Sequence, residues 1–163
     1  AWGSSFRSKI GLLDHQDGDA DLAQELLNCM ATNKADFTLT FRRLCDVSIR
    51  KDSKSNSADG PFTKLFEDQS AADHWLAKWR ARLCLEEWSE LERQKSMRAT
   101  NPSYIPRNHR VEEVITSALE GDFSPFEKLV EVLSLPFDDQ PENIDFQTPP
   151  QRDEIVHETF CGT

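Results

Sequence analysis

Cysteine and histidine are the side chains of this sequence best suited to nucleophilic, redox or metal chemistry, and their spacing argues against a shared site. They are scattered, without a C-x-x-C pair or an H-x-x-x-H repeat: Cys29, Cys45, Cys84, Cys161, His15, His74, His109 and His157. Structural zinc sites and redox dithiols need such close pairs, so the sequence favours neither. We expect Cys29, Cys45 and Cys84 to be small buried apolar residues. Cys161 lies outside any amphipathic pattern, so burial is not expected there.

The glycines do not form a phosphate-binding loop. Such a loop needs closely spaced glycines so that backbone N–H groups can converge on an anion, and the 6 glycines here are isolated from one another. The triplets at 36–38 and 122–124 begin D-F, and the triplet at 109–111 begins H-R, but none continues to the Gly or Asp of a kinase motif. We therefore predict no catalytic, cofactor-binding or metal-binding residue in this chain.

A stretch with two prolines holds several polar side chains at 101–110, where the sequence reads N-P-S-Y-I-P-R-N-H-R. Because proline fixes φ, the backbone around these side chains is restricted. We interpret Asn101, Arg107 and Asn108 as a structural clamp whose side chains bond backbone carbonyls or a carboxylate of a partner. The alternative is ordinary ion pairing between basic residues and nearby acids.

Length and composition fit one soluble domain. The chain has 163 residues, of which 37% are hydrophobic and 29% charged, with a mean hydropathy of −0.62. A net charge of −10 would repel nucleic-acid phosphates, so no nucleic-acid partner is expected. No apolar run approaches the ~20 residues that cross a bilayer. We expect a cytoplasmic protein with no membrane partner.

Amphipathic patterns predict an all-α fold, an irregular multi-helix domain of about five or six helices. The polar stretch 50–60 is expected to be a flexible connection within a single domain over 1–163. The longest predicted helix has apolar residues on two sides, which is typical of a helix packed between neighbours. The second apolar side of that helix is formed by Ala77, Ala81, Cys84 and Trp88. The predicted helices are one that begins with a capping box at Asp21 and Gln24, one from Asp36 to about Val47, the longest from Ser70 and Asp73 to about Ala99, one from Pro106 to Gly121, and a last one with N-cap Ser124.

After Pro136 the composition changes, because prolines and acidic residues dominate. We predict an extended, proline-rich and acidic C-terminal strap over 137–163. Its anchors on the helical body would be Phe137, Ile144, Phe146, Ile155, Val156 and Phe160. A packed strap and a disordered tail both remain open at this point.

Several blocks, taken in order, resemble the C-terminal part of the selenoprotein O family, the protein adenylyltransferases with a kinase-like (pseudokinase) fold. The blocks lie at 36–44, 75–83, 97–110, 121–129, 136–141 and 160–163. The N-P-x-x-I-x-R-N and P-F-D-D-Q-P blocks carry most of the resemblance. It covers nearly the whole chain apart from the ends of the connection at 50–60.

The resemblance implies AMP transfer from ATP to hydroxyl side chains of proteins, with Mg²⁺, by the full-length parent. The family's kinase-like catalytic residues have no counterpart in this sequence. The chain is therefore expected to be a non-catalytic helical region that supports the kinase-like lobe of the same polypeptide, without a cofactor of its own. Protein substrates are expected as partners of the parent. The alternative is an autonomous helical module that binds a protein partner.

Family members often end in a cysteine or selenocysteine, and Cys161 occupies that place. The resemblance therefore implies a redox contact from Cys161 to the kinase-like core. A second cysteine is not nearby, so a disulfide would need a thiol outside this sequence or a distant one in it. The alternative is an ordinary exposed cysteine.

Overall fold

The structure is a computed structural model that describes residues 2–49 and 56–156. These residues form eight α-helices and one 3-10 helix, and no strand occurs among them. The all-α prediction is confirmed, although five or six helices were expected. No helix in the described ranges is long and apolar enough to cross a membrane. The chain divides into two compact units, 1–101 and 102–163, and the expectation of a single domain stays a prediction.

The first unit is built from six helices around one apolar core. The helices are α1 (Trp2–Lys9), α2 (Asp19–Asn33), α3 (Phe37–Leu44), α4 (Asn56–Thr63), α5 (Gln69–Leu83) and α6 (Glu90–Thr100). Trp79 and Leu76 of α5 are fully buried, and the Trp75 and Trp79 rings stack with centroids 6.0 Å apart. The apolar stripe predicted on this helix is therefore the centre of the core.

Local signals start most of these helices. Asp36 caps α3 as predicted, since its carboxylate accepts a hydrogen bond of 2.8 Å from the Leu39 N–H. Helix α2 begins at Asp19, after Gly18 in a left-handed conformation. The capping box predicted at Asp21 is therefore wrong, because the N-cap position is Gly18, three residues earlier. Helix α5 is capped by Asp68, which accepts from the N–H of Ser70, the residue predicted as the cap.

The single long helix predicted from Ser70 to Ala99 is wrong, because the chain leaves the helix after Leu83 and starts α6 at Glu90. Ser89 and Glu92 form the capping box of α6, a start signal that competes with continuing α5. The two-sided helix therefore does not exist. Ala77 and Ala81 are exposed on α5, and Trp88 is half-buried in the linker.

Part of the connection predicted at 50–60 is helical. Residues 56–60 belong to α4, while residues 50–55 lie outside the described part of the chain. The buried Asp59 explains why this segment is structured, because its carboxylate binds Arg80 of α5 through contacts of 2.7 and 2.9 Å. A charged residue in a polar stretch thus anchors a helix, which apolar periodicity does not detect.

The second unit consists of α7 (Asn108–Leu119), α8 (Ser124–Ser134) and a 3-10 helix (Pro141–Gln147). Gly121 follows α7 with φ +90°, as expected of a glycine after a helix C-terminus. Helix α7 begins at Asn108 rather than at Pro106, and α8 has Phe123 at its N-cap position rather than Ser124. Both shifts lie within the usual uncertainty of helix ends.

The strap predicted over 137–163 is partly helical, because Pro141–Gln147 forms the 3-10 helix. Its predicted apolar anchors Phe137, Ile144 and Ile155 are 42–50% exposed. The buried side chains of this segment are instead polar, namely Asn143 and Gln147. Residues 157–163, including the predicted anchor Phe160, lie outside the described part of the chain.

Candidate functional site

The cysteines do not assemble into a site within the described ranges. Cys45 is buried, Cys29 is half-buried and Cys84 is exposed, and all are free thiols. The prediction that Cys84 is buried is wrong, because α5 ends just before it. Burial raises the pKa of the Cys45 thiol, which keeps it protonated and unreactive near neutral pH. Cys161 lies outside the described residues, as does His157.

Asn101 ends the first unit and is fully buried. Its amide nitrogen donates to the Lys9 carbonyl at 2.8 Å and to the Cys45 sulfur at 3.7 Å. Its amide oxygen accepts from the Lys9 ammonium at 3.4 Å. The C-terminus of α1 is thereby joined to the end of α6 through one side chain.

Arg42 of α3 also binds the end of α6. Its guanidinium donates to the carbonyls of Asn101 at 3.1 Å and Arg98 at 3.3 Å. The last carbonyls of a helix have no intrahelical hydrogen-bond donors and carry partial negative charge. A buried guanidinium at this position supplies both donors and positive charge. Three segments, the ends of α1 and α6 and the body of α3, meet at this Asn101 junction.

A second buried arginine lies on α6, eight residues before Asn101. Arg93 of α6 is 0% exposed and donates to the Val47 carbonyl at 2.7 Å. Its guanidinium lies over the Trp79 ring, 5.2 Å from the centroid, while the Trp79 indole N–H donates to the Ile10 carbonyl at 2.8 Å. Burial lowers the pKa of Arg93, and the ring face and the carbonyl offset part of that cost.

A third cluster surrounds Arg82, near the C-terminus of α5. Arg82 contacts the carboxylates of Asp19 at 2.6 Å and Glu86 at 2.7 Å. The other Glu86 oxygen accepts from the backbone N–H groups of Leu13 at 3.1 Å and Asp14 at 3.2 Å. Burial raises the pKa of Asp19, but hydrogen bonds from Arg82 and the Gln16 N–H outweigh it, so the pKa is lowered. This cluster ties the linker after α5 to the loop before α2.

The other residues of the predicted clamp belong to the second unit. Arg107 is buried at the N-cap position of α7, and Asn108 is exposed as the first residue of that helix. Sequence reasoning missed the side chains that organise this unit. The Tyr104 hydroxyl donates to the Gln140 carbonyl at 2.7 Å, and the Gln140 amide donates to the carbonyls of Val132 and Leu135 at 3.0 Å each. The sequence feature that could have indicated this contact is Tyr104 itself, the single tyrosine, which lies between Pro102 and Pro106.

A cavity of about 500 Å³ in the second unit is lined by His109 and by carboxylates of α7 and of 153–154. His109 is buried, and burial together with the neighbouring Arg110 charge lowers its pKa. Ser117 and Thr116 also line this cavity, but neither donates a hydrogen bond to His109 among the bonds of the described residues. A nucleophile paired with a base is therefore not assembled here.

The described residues also bear on metal binding. Within residues 2–49 and 56–156, no group of three or more His, Cys, Asp or Glu side chains could hold a metal ion. Several buried polar side chains of these residues bind the protein's own backbone carbonyls or ion-pair partners, among them Arg42, Arg80 and Arg93.

The described residues are helical, and their buried arginines bind backbone carbonyls and carboxylates inside the fold. The chain belongs to the protein adenylyltransferase SelO family, whose family model, "Protein adenylyltransferase SelO", matches residues 1–134. The resemblance seen in the sequence blocks is thereby confirmed.

Curated relatives agree with this membership. A protein nucleotidyltransferase YdiU from Bradyrhizobium sp. (strain ORS 278) is 49% identical over 161 residues, which is 98% of this chain and 32% of the relative. Proteins of the same name from Nitrobacter hamburgensis and Rhizobium meliloti are 49% and 47% identical, covering 97% and 99% of this chain and 30% and 32% of the relatives. The chain spans about a third of the length of the relatives that it matches.

Proposed function

We propose that this chain is the C-terminal helical region of a protein adenylyltransferase, with a structural and regulatory role and no catalytic residue of its own. The observation that carries the proposal is family membership over residues 1–134 combined with coverage of only 32% of a relative. The buried polar side chains support it, because Arg42, Arg93 and Asn101 bind backbone carbonyls inside the fold. Groups engaged in this way stabilise a scaffold and are not free to bind a substrate.

The whole polypeptide would transfer AMP from ATP to the hydroxyl groups of serine, threonine or tyrosine in other proteins, releasing pyrophosphate. ATP and Mg²⁺ would bind to the kinase-like lobe, outside this sequence. The isolated glycines and the lack of a metal-binding cluster among the described residues support that assignment. The partners of this region would be that lobe and, for the whole protein, its protein substrates in the cytoplasm.

The clamp enters this proposal through the Asn101 junction. Its bonds to Lys9 and Cys45, with Arg42 on its carbonyl, are the contacts that a clamp of backbone segments requires. Arg107 and Asn108 would contribute at the start of α7, where Arg107 is buried. The role of all three residues is to hold the helices that support the lobe.

Cys161 keeps a proposed redox role in the whole protein. Two thiols, one of them Cys161, would form a disulfide and pass two electrons and two protons to a thiol-disulfide oxidant. Thiol labelling of Cys161 in the whole protein under oxidising and reducing conditions tests this. Labelling that is lost on oxidation and restored by dithiothreitol is expected, and equal labelling in both conditions would remove the redox role.

The proposal is tested by measuring AMP transfer from labelled ATP to protein substrates by the whole polypeptide and by residues 1–163 alone. Transfer by the whole polypeptide and none by this chain is expected. A thermal shift of residues 1–163 on adding Mg-ATP, or turnover by this chain alone, would contradict the proposal. A whole polypeptide without transfer activity would instead favour an autonomous helical interaction module, for which the exposed apolar side chains of α7 and α8 are the supporting observation.

A further inference from the structure

Helices α7 and α8 and the turn between them expose large apolar side chains. We call these residues the hairpin face: Ile115 (46% exposed), Leu119 (85%), Phe123 (58%), Phe126 (51%) and Val130 (51%). They belong to the apolar stripes that make both helices amphipathic, so the helices formed with part of their apolar surface uncovered. Single exposed apolar residues are normal on a monomer, but a contiguous group marks an interaction site.

Helical geometry, applied to the packed pair α7 and α8, places the exposed residues on one side of the hairpin. On α8 they follow the buried Leu129 and Val132 by about 100° of helical rotation, and on α7 they follow the half-buried Val114 and Ala118 by a similar angle. The helices are joined by the short turn at 120–123 and run antiparallel. In an antiparallel pair, the two chains run in opposite directions. Residues that follow the buried positions by the same helical rotation on each helix therefore point to the same side of the pair.

We propose that the hairpin face docks against the part of the polypeptide that lies outside this sequence, a proposal that rests on the proposed function. Relatives 47–50% identical carry the same region as about a third of a longer chain. An apolar face within a longer polypeptide can be buried intramolecularly, at a high effective concentration of the surface that it meets. We therefore assign as the occupant the part of the polypeptide outside this sequence, which in these relatives is about two thirds of the length.

The charges around the face indicate the chemistry of the surface that it meets. Glu112, Glu120 and Glu127 are exposed and adjoin the apolar residues by sequence neighbourhood or by one helical turn. Like charges facing them would be repelled, whereas lysine or arginine would pair with them at the rim. The docking surface on the rest of the polypeptide is thus an apolar patch bordered by basic residues.

The test measures the accessibility of the hairpin face in the whole protein. Leu119→Cys places a thiol in the face, and Glu131→Cys places one on another side of α8, where the native side chain is 68% exposed. Each thiol is alkylated in the native and the urea-unfolded whole protein, and peptide mass spectrometry separates it from the native cysteines. We expect the L119C thiol to react at least about tenfold more slowly in the native protein, and the E131C thiol to show little protection.

Each other outcome contradicts the proposal. Free labelling of L119C, or equal protection of both thiols, would show that no one-sided docking occurs. Protection that disappears on dilution would identify a second copy as the occupant, and protection that disappears on deleting residues 157–163 would identify the end of this chain.

AMP transfer by the unmodified whole protein is measured in parallel. Transfer with a freely labelled L119C refutes the docking face alone, whereas protection without transfer refutes the proposed function alone. A second variant, Leu119→Glu, is expected to lower the melting temperature of the whole protein, while Glu131→Gln leaves it nearly unchanged.

Discussion

Gly11 tests whether the buried arginine region is as tightly packed as the structure indicates. Its φ is +73°, and a Cβ there would lie 2.5 Å from the Met97 sulfur and 3.0 Å from Cγ of Arg93. Both neighbours are fully buried, Arg93 donates to the Val47 carbonyl, and the Met97 sulfur accepts from Arg93 at 3.0 Å, so moving either side chain disturbs a buried contact. Gly11→Ala therefore combines a left-handed backbone with overpacking.

The matched control is Gly18→Ala. Gly18 has φ +93°, but nothing lies within 4 Å of the position of its Cβ. A left-handed conformation costs a residue with Cβ about 1–2 kcal/mol, and overpacking a filled core adds about 1–3 kcal/mol. We expect G18A to lose about 1–2 kcal/mol and G11A about 2–5 kcal/mol of unfolding free energy.

The assay is urea unfolding followed by tryptophan fluorescence, since Trp75 and Trp79 lie in the core of the same unit. Both variants are measured in the same polypeptide, and their midpoints are compared at an unchanged dependence on urea. Equal losses for G11A and G18A would refute the reasoning, because they would mean that the neighbours of Gly11 move aside at no cost.

Three further predictions concern buried polar groups. Asn101→Ala should lower the unfolding free energy by about 1–3 kcal/mol, because the Lys9 carbonyl loses its buried donor; an unchanged urea midpoint would contradict this. The folded-state pKa of His109 is lowered, so on acidification the unfolded chain takes up the proton first. Stability should therefore fall as pH drops below about 6.5, and thermal melts of H109Q should lack this pH-dependent loss. The pKa of Asp19 is also lowered, so its contribution to the unfolding free energy is complete above about pH 4 and is lost as pH falls through the folded-state pKa. In D19N, Arg82 keeps its contact with Glu86, and the loss of stability on acidification should be shallower. An acid-unfolding curve identical to that of the unchanged protein would exclude the contribution.

Much of the fold could be predicted from local patterns. The cap at Asp36, the glycine after α7 and the apolar stripe of α5 were predicted correctly because each depends on residues within a turn or two of one another. The resemblance to the adenylyltransferase family was likewise carried by short blocks of sequence. Such signals need no knowledge of where distant segments lie.

The candidate site was harder to predict, because buried polar contacts join residues far apart in the chain. Asn101 was predicted as a clamp residue from the proline-containing stretch at 101–110, but its hydrogen-bond partner Lys9 is 92 residues away. Arg42, Arg80 and Arg93 are buried although their charges predict exposure, since each finds carbonyl or carboxylate partners only in the folded chain.

Residue types and their spacing were enough to predict that this protein is helical and that it resembles the adenylyltransferases, because both features depend on short stretches of sequence. The break in the longest predicted helix has a local signal, the capping box of Ser89 and Glu92, but tertiary structure decided how the linker after α5 is held and which apolar stripes stay uncovered. The linker after α5 is tied by Glu86 to backbone N–H groups 72 and 73 residues earlier. Apolar periodicity predicts that a helix has an apolar face, but it does not predict which segment packs against that face. The hairpin face shows this, because its helices formed as predicted and its side chains are exposed.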